Sequence, residues 1–302
     1  MNHILPKITA AALSIVCFIG TANADRSIES KPGQQMVARA IQQIANQPSV
    51  EAELRQRVEL FGRFLVGSGN YRQLTIGDQR MFRLEMKLQV ADRLTSLLQV
   101  SNGSTLWIRH GIGDTKNLAY VNLGKVREAL RDAPPTVGVL STKQLAAGGL
   151  HQLLRGLEDC FDFREPTASQ IGNLPVWHLK GHWKAAKLAQ LLSPEQAALV
   201  AANPSEVTGL PAQLPSVVSL FLGRDQEIPL FPYQIEYGRF EAASKTPPKQ
   251  DNPARYRAIA ILQLFEVRRY RNMDPRDFTF TPVDEQVDDR TEEWIADLGR
   301  GM

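Results

Sequence analysis

Cysteine is almost missing from this chain. Only Cys17 and Cys160 occur among 302 residues, and Cys17 sits inside an N-terminal apolar run. Beyond that run a single thiol remains, so no internal disulfide can staple the fold. Charge of one sign is also scarce. The formal net charge is +3, and the only basic cluster is Arg268-Arg269 with Arg271, interleaved with Tyr270. Nucleic-acid binding asks for a basic stripe, so no nucleic-acid partner is expected. No apolar stretch after the N-terminal run reaches membrane-spanning length. The chain has no Gly-x-Ser-x-Gly elbow, no P-loop and no His-Glu-x-x-His pattern.

What is present begins with a targeting signal. Lys7 gives a short positive region, Ile8 to Gly20 is an apolar run, and Ala22-Asn23-Ala24 supplies small residues at the cleavage positions. Residues 1–24 are therefore expected to be a signal peptide, cut after Ala24, with the mature protein in the periplasm. Val16 before Cys17 is too large for a lipidation site. Removing residues 1–24 takes away one Lys and no acid, so the charge falls from +3 to +2.

Residues 25–47 read as a helix, because Met36, Val37, Ala40, Ile41 and Ile44 form one stripe at spacings of three and four. Pro48 ends it. From Val58 the period changes to two. Phe82, Leu84, Met86, Leu88 and Val90 alternate with Arg83, Glu85, Lys87 and Gln89, giving one apolar and one charged face. Such alternation belongs to an antiparallel sheet with one face covered. Rougher runs cover Val58–Val66, Leu94–Val100, Thr105–Arg109 and Leu118–Leu123. Turn signals fall at Gly67–Asn70, Ala91-Asp92, Asn102-Gly103 and Gly111–Asp114. Asn102-Gly103 is the strongest hairpin signal.

Helices are expected over Gly124–Ala133, Thr142–Leu157, His182–Leu192 and Pro194–Ala202, with extended chain around Val176–Leu179. The sheet resumes with Val217–Leu222, Tyr233–Phe240 and Tyr256–Tyr270, and ends with a short strand at Phe278–Thr281. No internal repeat or break in composition demands a second domain. The layout is α+β, with helices on the apolar face of one long curved antiparallel sheet.

Candidate chemistry is thin. His178 and His182 are four apart, but they lie on an extended segment, where that spacing separates two ligands, so no metal site is expected. Gly111-Ile112-Gly113-Asp114 is half of a dinucleotide loop without a βαβ unit, and reads as a hairpin turn. Adjacent acids at Glu158-Asp159 and Asp288-Asp289 point to opposite faces of a strand and make poor acid–base partners. Cys160 reads as a nucleophile or as a small buried residue; burial is the commoner fate. No cofactor is expected. Trp107 shares a face with Arg109, opposite Leu106 and Ile108, and either face could be the covered one. Trp294 is expected to pack externally.

Four segments, in order, resemble the LolA-like periplasmic lipoprotein carriers. Arg80–Leu84 resembles a strand of that family. Leu98–Trp107 resembles the hairpin that follows it, Leu222–Asp225 through Ile228 a later turn, and Asp277–Pro282 with Val287–Asp289 the closing strand and tail. The resemblance implies an unclosed half-barrel whose concave apolar face is covered by helices. It implies a non-enzymatic carrier of lipoprotein or lipid acyl chains, a monomer working between an inner-membrane donor and an outer-membrane acceptor. The implied cavity lining is Phe82, Leu84, Met86 and Leu88, with Val100, Leu106 and Ile108 from neighbouring runs. Met suits a deformable pocket. The family carries an Arg-Pro pair before the Phe strand, and that arginine latches the lid. Here the matching stretch is Asp78-Gln79-Arg80, which makes Arg80 the latch candidate without the proline. Residues 25–302 are expected to form one such domain with a helical insertion at about 124–215. Two alternatives compete. One is an envelope sensor or scaffold of the same fold that binds a protein partner. The other is a hydrolase using Cys160 with His151 or His178.

Overall fold

The computed structural model describes residues 31–302 apart from 61–62, 91–92, 130, 132–141, 194, 197–209, 212–213, 225–226, 241–255, 270–271, 284–285 and 301–302. The first element is helix α1, Pro32–Ala45. Proline sits in its first turn, where the missing N–H would have no partner anyway. Met36, Val37, Ala40, Ile41 and Ile44 are all buried, as their spacing predicts. Each such side chain contributes about 1.5–3 kcal/mol by leaving water.

Six antiparallel strands follow: β1 (Ser49–Leu60), β2 (Arg63–Ile76), β3 (Gln79–Val90), β4 (Arg93–Ser101), β5 (Thr105–Ile112) and β6 (Thr115–Asn122). The β3 alternation holds, with Phe82 and Leu84 each 2 % exposed and Glu85 and Lys87 in water. The Asn102-Gly103 turn is as expected. Asn102 Oδ1 accepts hydrogen bonds from Ser104 N and Thr105 N at 3.0 and 2.8 Å, and Gly103 takes φ +88°. Gly67–Asn70, read as a turn, instead lies inside β2 paired to both neighbours. Ala91-Asp92 falls outside the described residues.

Helices α2 (Leu123–Ala129) and α3 (Thr142–Cys160) come next. A kink at Gly148 and Gly149 breaks α3. The stretch 124–215, expected as a helical insertion with extended chain around Val176–Leu179, then supplies strands β7 (Phe161–Phe163), β8 (Thr167–Ile171) and β9 (Leu174–Trp183), the last of which contains that extended chain. The short helix α4 (Ala185–Ala189) follows, and is all that remains of the helix expected over His182–Leu192. The helix expected at Pro194–Ala202 falls almost wholly outside the described residues. Strands β10 (Val217–Gly223), β11 (Pro232–Phe240) and β12 (Tyr256–Arg268) complete the antiparallel run.

All the described strands join one unclosed sheet in the order β13-β6-β5-β4-β3-β2-β1-β12-β11-β10-β9-β7, with β8 also on β9. Strand β13, Val287–Asp289, is parallel to β6. The apolar cluster on one face takes in α1, α3 and residues from β1 to β3, β5 to β7 and β9 to β12. That face is called inner below.

The C-terminal segment departs from expectation. Phe278–Thr281 is not a strand. Pro275–Phe278 forms a 3-10 turn, because Asp274 caps it by accepting from Arg276 N at 2.9 Å and Pro275 fits its first position. Phe278 is fully buried against Leu74 and Met81 on the outer face. A last helix, α5 (Thr291–Arg300), follows β13. Its Trp294 is 3 % exposed within the main cluster, so the expected external packing is corrected. The cause is the docking of α5 beside β6 and α2.

Candidate apolar site on the inner face

Strand register assigns each expected lining residue to a face. Directly opposed residues share a face. Phe82 is opposite Ser101, Ser101 opposite Leu106, and Leu106 opposite Val121. Leu84 is opposite Gln99, which is opposite Ile108. Phe82, Leu84, Leu106 and Ile108 therefore come together in the main cluster, all buried. Met86 and Leu88 continue the same face of β3, opposite Leu97 and Thr95, and both are half-buried.

Val100 is a correction. It lies opposite Arg83 on one side and Trp107 on the other, so it faces outward, away from Leu106 and Ile108. Trp107 is likewise outer. It packs on Tyr120 and Phe280 with ring centroids 5.6 and 5.5 Å away. Val100 is fully buried all the same, on the face where the C-terminal segment runs.

The covered part of the inner face is pinned by hydrogen bonds that sequence reasoning missed. Tyr71 of β2 is fully buried; its hydroxyl donates to Gln73 Oε1 at 2.8 Å and accepts from Leu150 N of α3 at 3.0 Å. Burial pushes the Tyr71 pKa upward, well beyond the ordinary phenol range. The contact requires glycine at 149. Its φ is +68°, and an added Cβ would stand 2.6 Å from the Tyr71 hydroxyl. The signal available in the sequence was the Gly148-Gly149 pair inside an otherwise helical pattern.

Arg80 shares the inner face with Phe82 and is half-buried. Its Nε is buried with no hydrogen-bond partner among the described residues. Its charge reaches His151 on α3. Burial, then Arg80 and Arg155, hold the His151 pKa down to about 4. Gln73 Nε2, Thr75 Oγ1 and Gln99 Oε1 are further buried atoms without partners among the described residues.

Among the described residues, cavities adjoin the cluster, two of which bear on the site. The larger, about 390 Å³, lies between the β8–β9 hairpin tip and the end of β12. Ile171, Leu174, Tyr233, Leu264 and Phe265 give it mainly apolar walls, with Arg55 and Glu266 among its polar ones. Glu266 takes φ +49°, at the end of β12 where its pairing with β1 is irregular. None of the expected lining residues borders this cavity. The smaller, about 120 Å³, has Ile108, Gln99, Arg290 and Trp294 in its wall.

The hydrolase constellation does not assemble. Cys160 is 1 % exposed, and burial, helped by Asp159, pushes its thiol up to about 11, whereas a nucleophilic cysteine needs a lowered pKa. His151 stands nine residues away on the same helix, about 13 Å along its axis. His178 is on the outer face, stacked on Phe221 at 4.4 Å. His178 and His182 stand four positions apart along β9, about 13 Å, and no cluster of metal-ligating side chains occurs among the described residues. Gly113, at φ +57°, turns β5 into β6, so the glycine pair is a hairpin. Asp289 serves structure: its carboxylate accepts from Thr291 N at 2.9 Å and from the Tyr120 hydroxyl at 2.8 Å.

No family profile matches the chain, and no curated protein matches it. Solved structures do align with it. The architecture itself is α+β, a large unclosed and mostly antiparallel sheet with helices on one face. A LolA superfamily protein from Nitrosomonas europaea aligns at 11 % identity over 82 % of this chain and 98 % of that one, with a TM-score of 0.28. A putative outer membrane lipoprotein-sorting protein domain from Vibrio parahaemolyticus aligns at 10 % identity over 82 % and 95 %, TM-score 0.29. The Mycobacterium tuberculosis lipoprotein LppX aligns at 11 % over 80 % and 97 %, TM-score 0.34. At these values the likeness carries no argument. No helix among the described residues is long and apolar enough to cross a membrane.

Proposed function

We propose that this chain is a non-enzymatic carrier, exported to the periplasm, that takes acyl chains of lipoproteins or lipids onto the inner face of its unclosed sheet. The observation that carries the reading is that the apolar face of β3 runs on past its helical cover. Phe82 and Leu84 are sealed, while Met86 and Leu88 on the same face, with Leu97 beside them, are only half-buried. An acyl chain in water costs about 0.8 kcal/mol per exposed CH₂, and a dry apolar strip offsets that cost without directional bonds that would hinder release. The apolar cavity beside Leu174 and Leu264 adds room for a guest. In this reading residues 25–302 work as one monomeric domain, and an inner-membrane donor and an outer-membrane acceptor are its partners. Phe82, Leu84, Leu106 and Ile108 are the floor that the helices uncover, and Arg80, close to His151, is the latch that holds α3 down.

The test is native mass spectrometry of the protein purified from the periplasm, then organic extraction and titration with a fluorescent acyl probe. A bound lipid or acylated peptide, or saturable uptake of the probe, is the expected result. Protein that is empty and also refuses the probe would overturn the carrier reading in favour of an envelope sensor or scaffold for a protein partner.

A further inference from the structure

Four of the most exposed large apolar side chains lie at one end of the sheet. They are Phe64 (46 % exposed), Val66 (51 %), Leu94 (50 %) and Ile112 (52 %). At this end β1 passes to β2, β3 to β4 and β5 to β6, as the terminal pairs Leu60–Arg63, Val90–Arg93 and Ile112–Thr115 show. Six strands span about 24 Å there. Apolar side chains in water at three neighbouring hairpins call for a partner.

The charges around them are of one dominant sign. Arg57, Lys87, Arg93 and Lys116 are exposed on the same end. The Arg57 guanidinium lies 3.7 Å from the centroid of the Phe64 ring, so charge and ring are presented together. Of the described acids nearby, Glu59 is tied to Arg257 at 2.8 Å, and Asp114 sits in the β5–β6 turn.

We propose that this end of the sheet is a docking edge for an anionic lipid surface. Phe64, Val66 and Leu94 project from the outer face and Ile112 from the inner one, as their pairing requires. A protein groove covers one face of a sheet. A bilayer interface admits an edge with apolar groups on both sides, while flanking cations meet the acidic headgroups. The half-buried strip of Met86, Leu88 and Leu97 descends to this same edge, so a docked sheet would present its open inner face at the lipid boundary. The docking edge adds to the carrier reading without depending on it.

Co-sedimentation of the protein with phosphatidylcholine vesicles, with and without phosphatidylglycerol, tests the proposal. Binding is expected only with phosphatidylglycerol, and is expected to weaken as salt is raised. Lys87→Glu with Arg93→Glu removes two cations and adds two acids, so it should lower partitioning by at least about thirtyfold. Phe64→Ser with Leu94→Ser should lower it about tenfold. Both pairs alter exposed positions, so melting temperatures should stay near that of the parent. A parent protein that ignores the anionic vesicles, or double variants that bind as well as the parent, would overturn the docking edge. Acyl-probe uptake measured without vesicles keeps the two ideas apart. A protein that binds vesicles and takes no probe supports the edge and sinks the carrier. One that takes the probe and ignores vesicles does the reverse.

Discussion

The two ends of the inner face use the same strand differently. At one end Phe82 and Leu84 are buried in one cluster with α1 and α3, with the Tyr71 hydroxyl tying α3 to β2. At the other end Met86 and Leu88 carry the same alternation into half-exposure. The periodicity does not change along β3, so the difference comes from what lies above it. Apolar pattern alone specifies a face that excludes water; the helices decide which part becomes interior and which part stays available.

That contrast breaks first at its strongest point. Phe82→Ala should cost about 3–5 kcal/mol, the loss of a fully buried aromatic plus its cavity. Met86→Ala, on the same face but half-buried, should cost only about 1 kcal/mol. Urea unfolding of the two variants measures the gap. Equal losses would mean that the face is one uniform core and that no part of it is held open.

The tie between α3 and β2 comes next. Gly149→Ala forces a side chain into a left-handed backbone and against the Tyr71 hydroxyl, and should cost about 1–3 kcal/mol. Tyr71→Phe removes the acceptor of Leu150 N, which leaves a buried donor unpaired and should cost about 1–3 kcal/mol. If the contact fastens the covered end, thermal melting drops in both variants while the double variant loses less than the sum.

Much of this was legible in the chain and some was not, for identifiable reasons. The β3 alternation, the α1 stripe and the Asn102-Gly103 hairpin depend on neighbours in sequence, and the structure keeps all three. Val100 faces outward, against expectation, because facing depends on how two strands align across a turn, here Ser101 opposite Leu106, which periodicity within one run does not specify. Gly69 looked like part of a turn. It lies in β2, paired to Leu54 and Met86, and glycine is needed there because a Cβ would meet the Glu85 carbonyl at 1.8 Å, a contact between strands. Trp294 and Phe278 are buried by a segment that crosses both faces of a sheet formed far upstream, and no local pattern announces that.

The covered end should also respond to acid. The His151 pKa in the fold is about 4, against an ordinary 6.5, so between those values the unfolded chain binds a proton that the native one refuses. Stability therefore rises with pH across that window and is lost as pH falls from about 6.5 towards 4. His178 and His182, held down first by burial, push in the same direction. His151→Gln should flatten part of the slope in melting curves between pH 4 and 6.5. A slope unchanged in that variant would place the acid sensitivity elsewhere than under α3.

The smallest effect on stability and the sharpest on the comparison is expected at Met86→Glu. A half-buried position lets a carboxylate reach water by a modest turn of its side chain, so the melting temperature should fall by only a few degrees, about 1 kcal/mol or less. A guest acyl chain has no such escape. It would have to lie against a charge that must either stay hydrated or become neutral, and both disfavour a dry contact. Acyl-probe affinity should therefore drop at least about tenfold, the effect of some 1.4 kcal/mol, while Glu at the outward Lys87 position leaves uptake unchanged. Retained affinity in a folded Met86→Glu protein would move the guest away from β3, towards the cavity walled by Leu174 and Leu264, where Leu174→Glu would then be the variant that abolishes uptake.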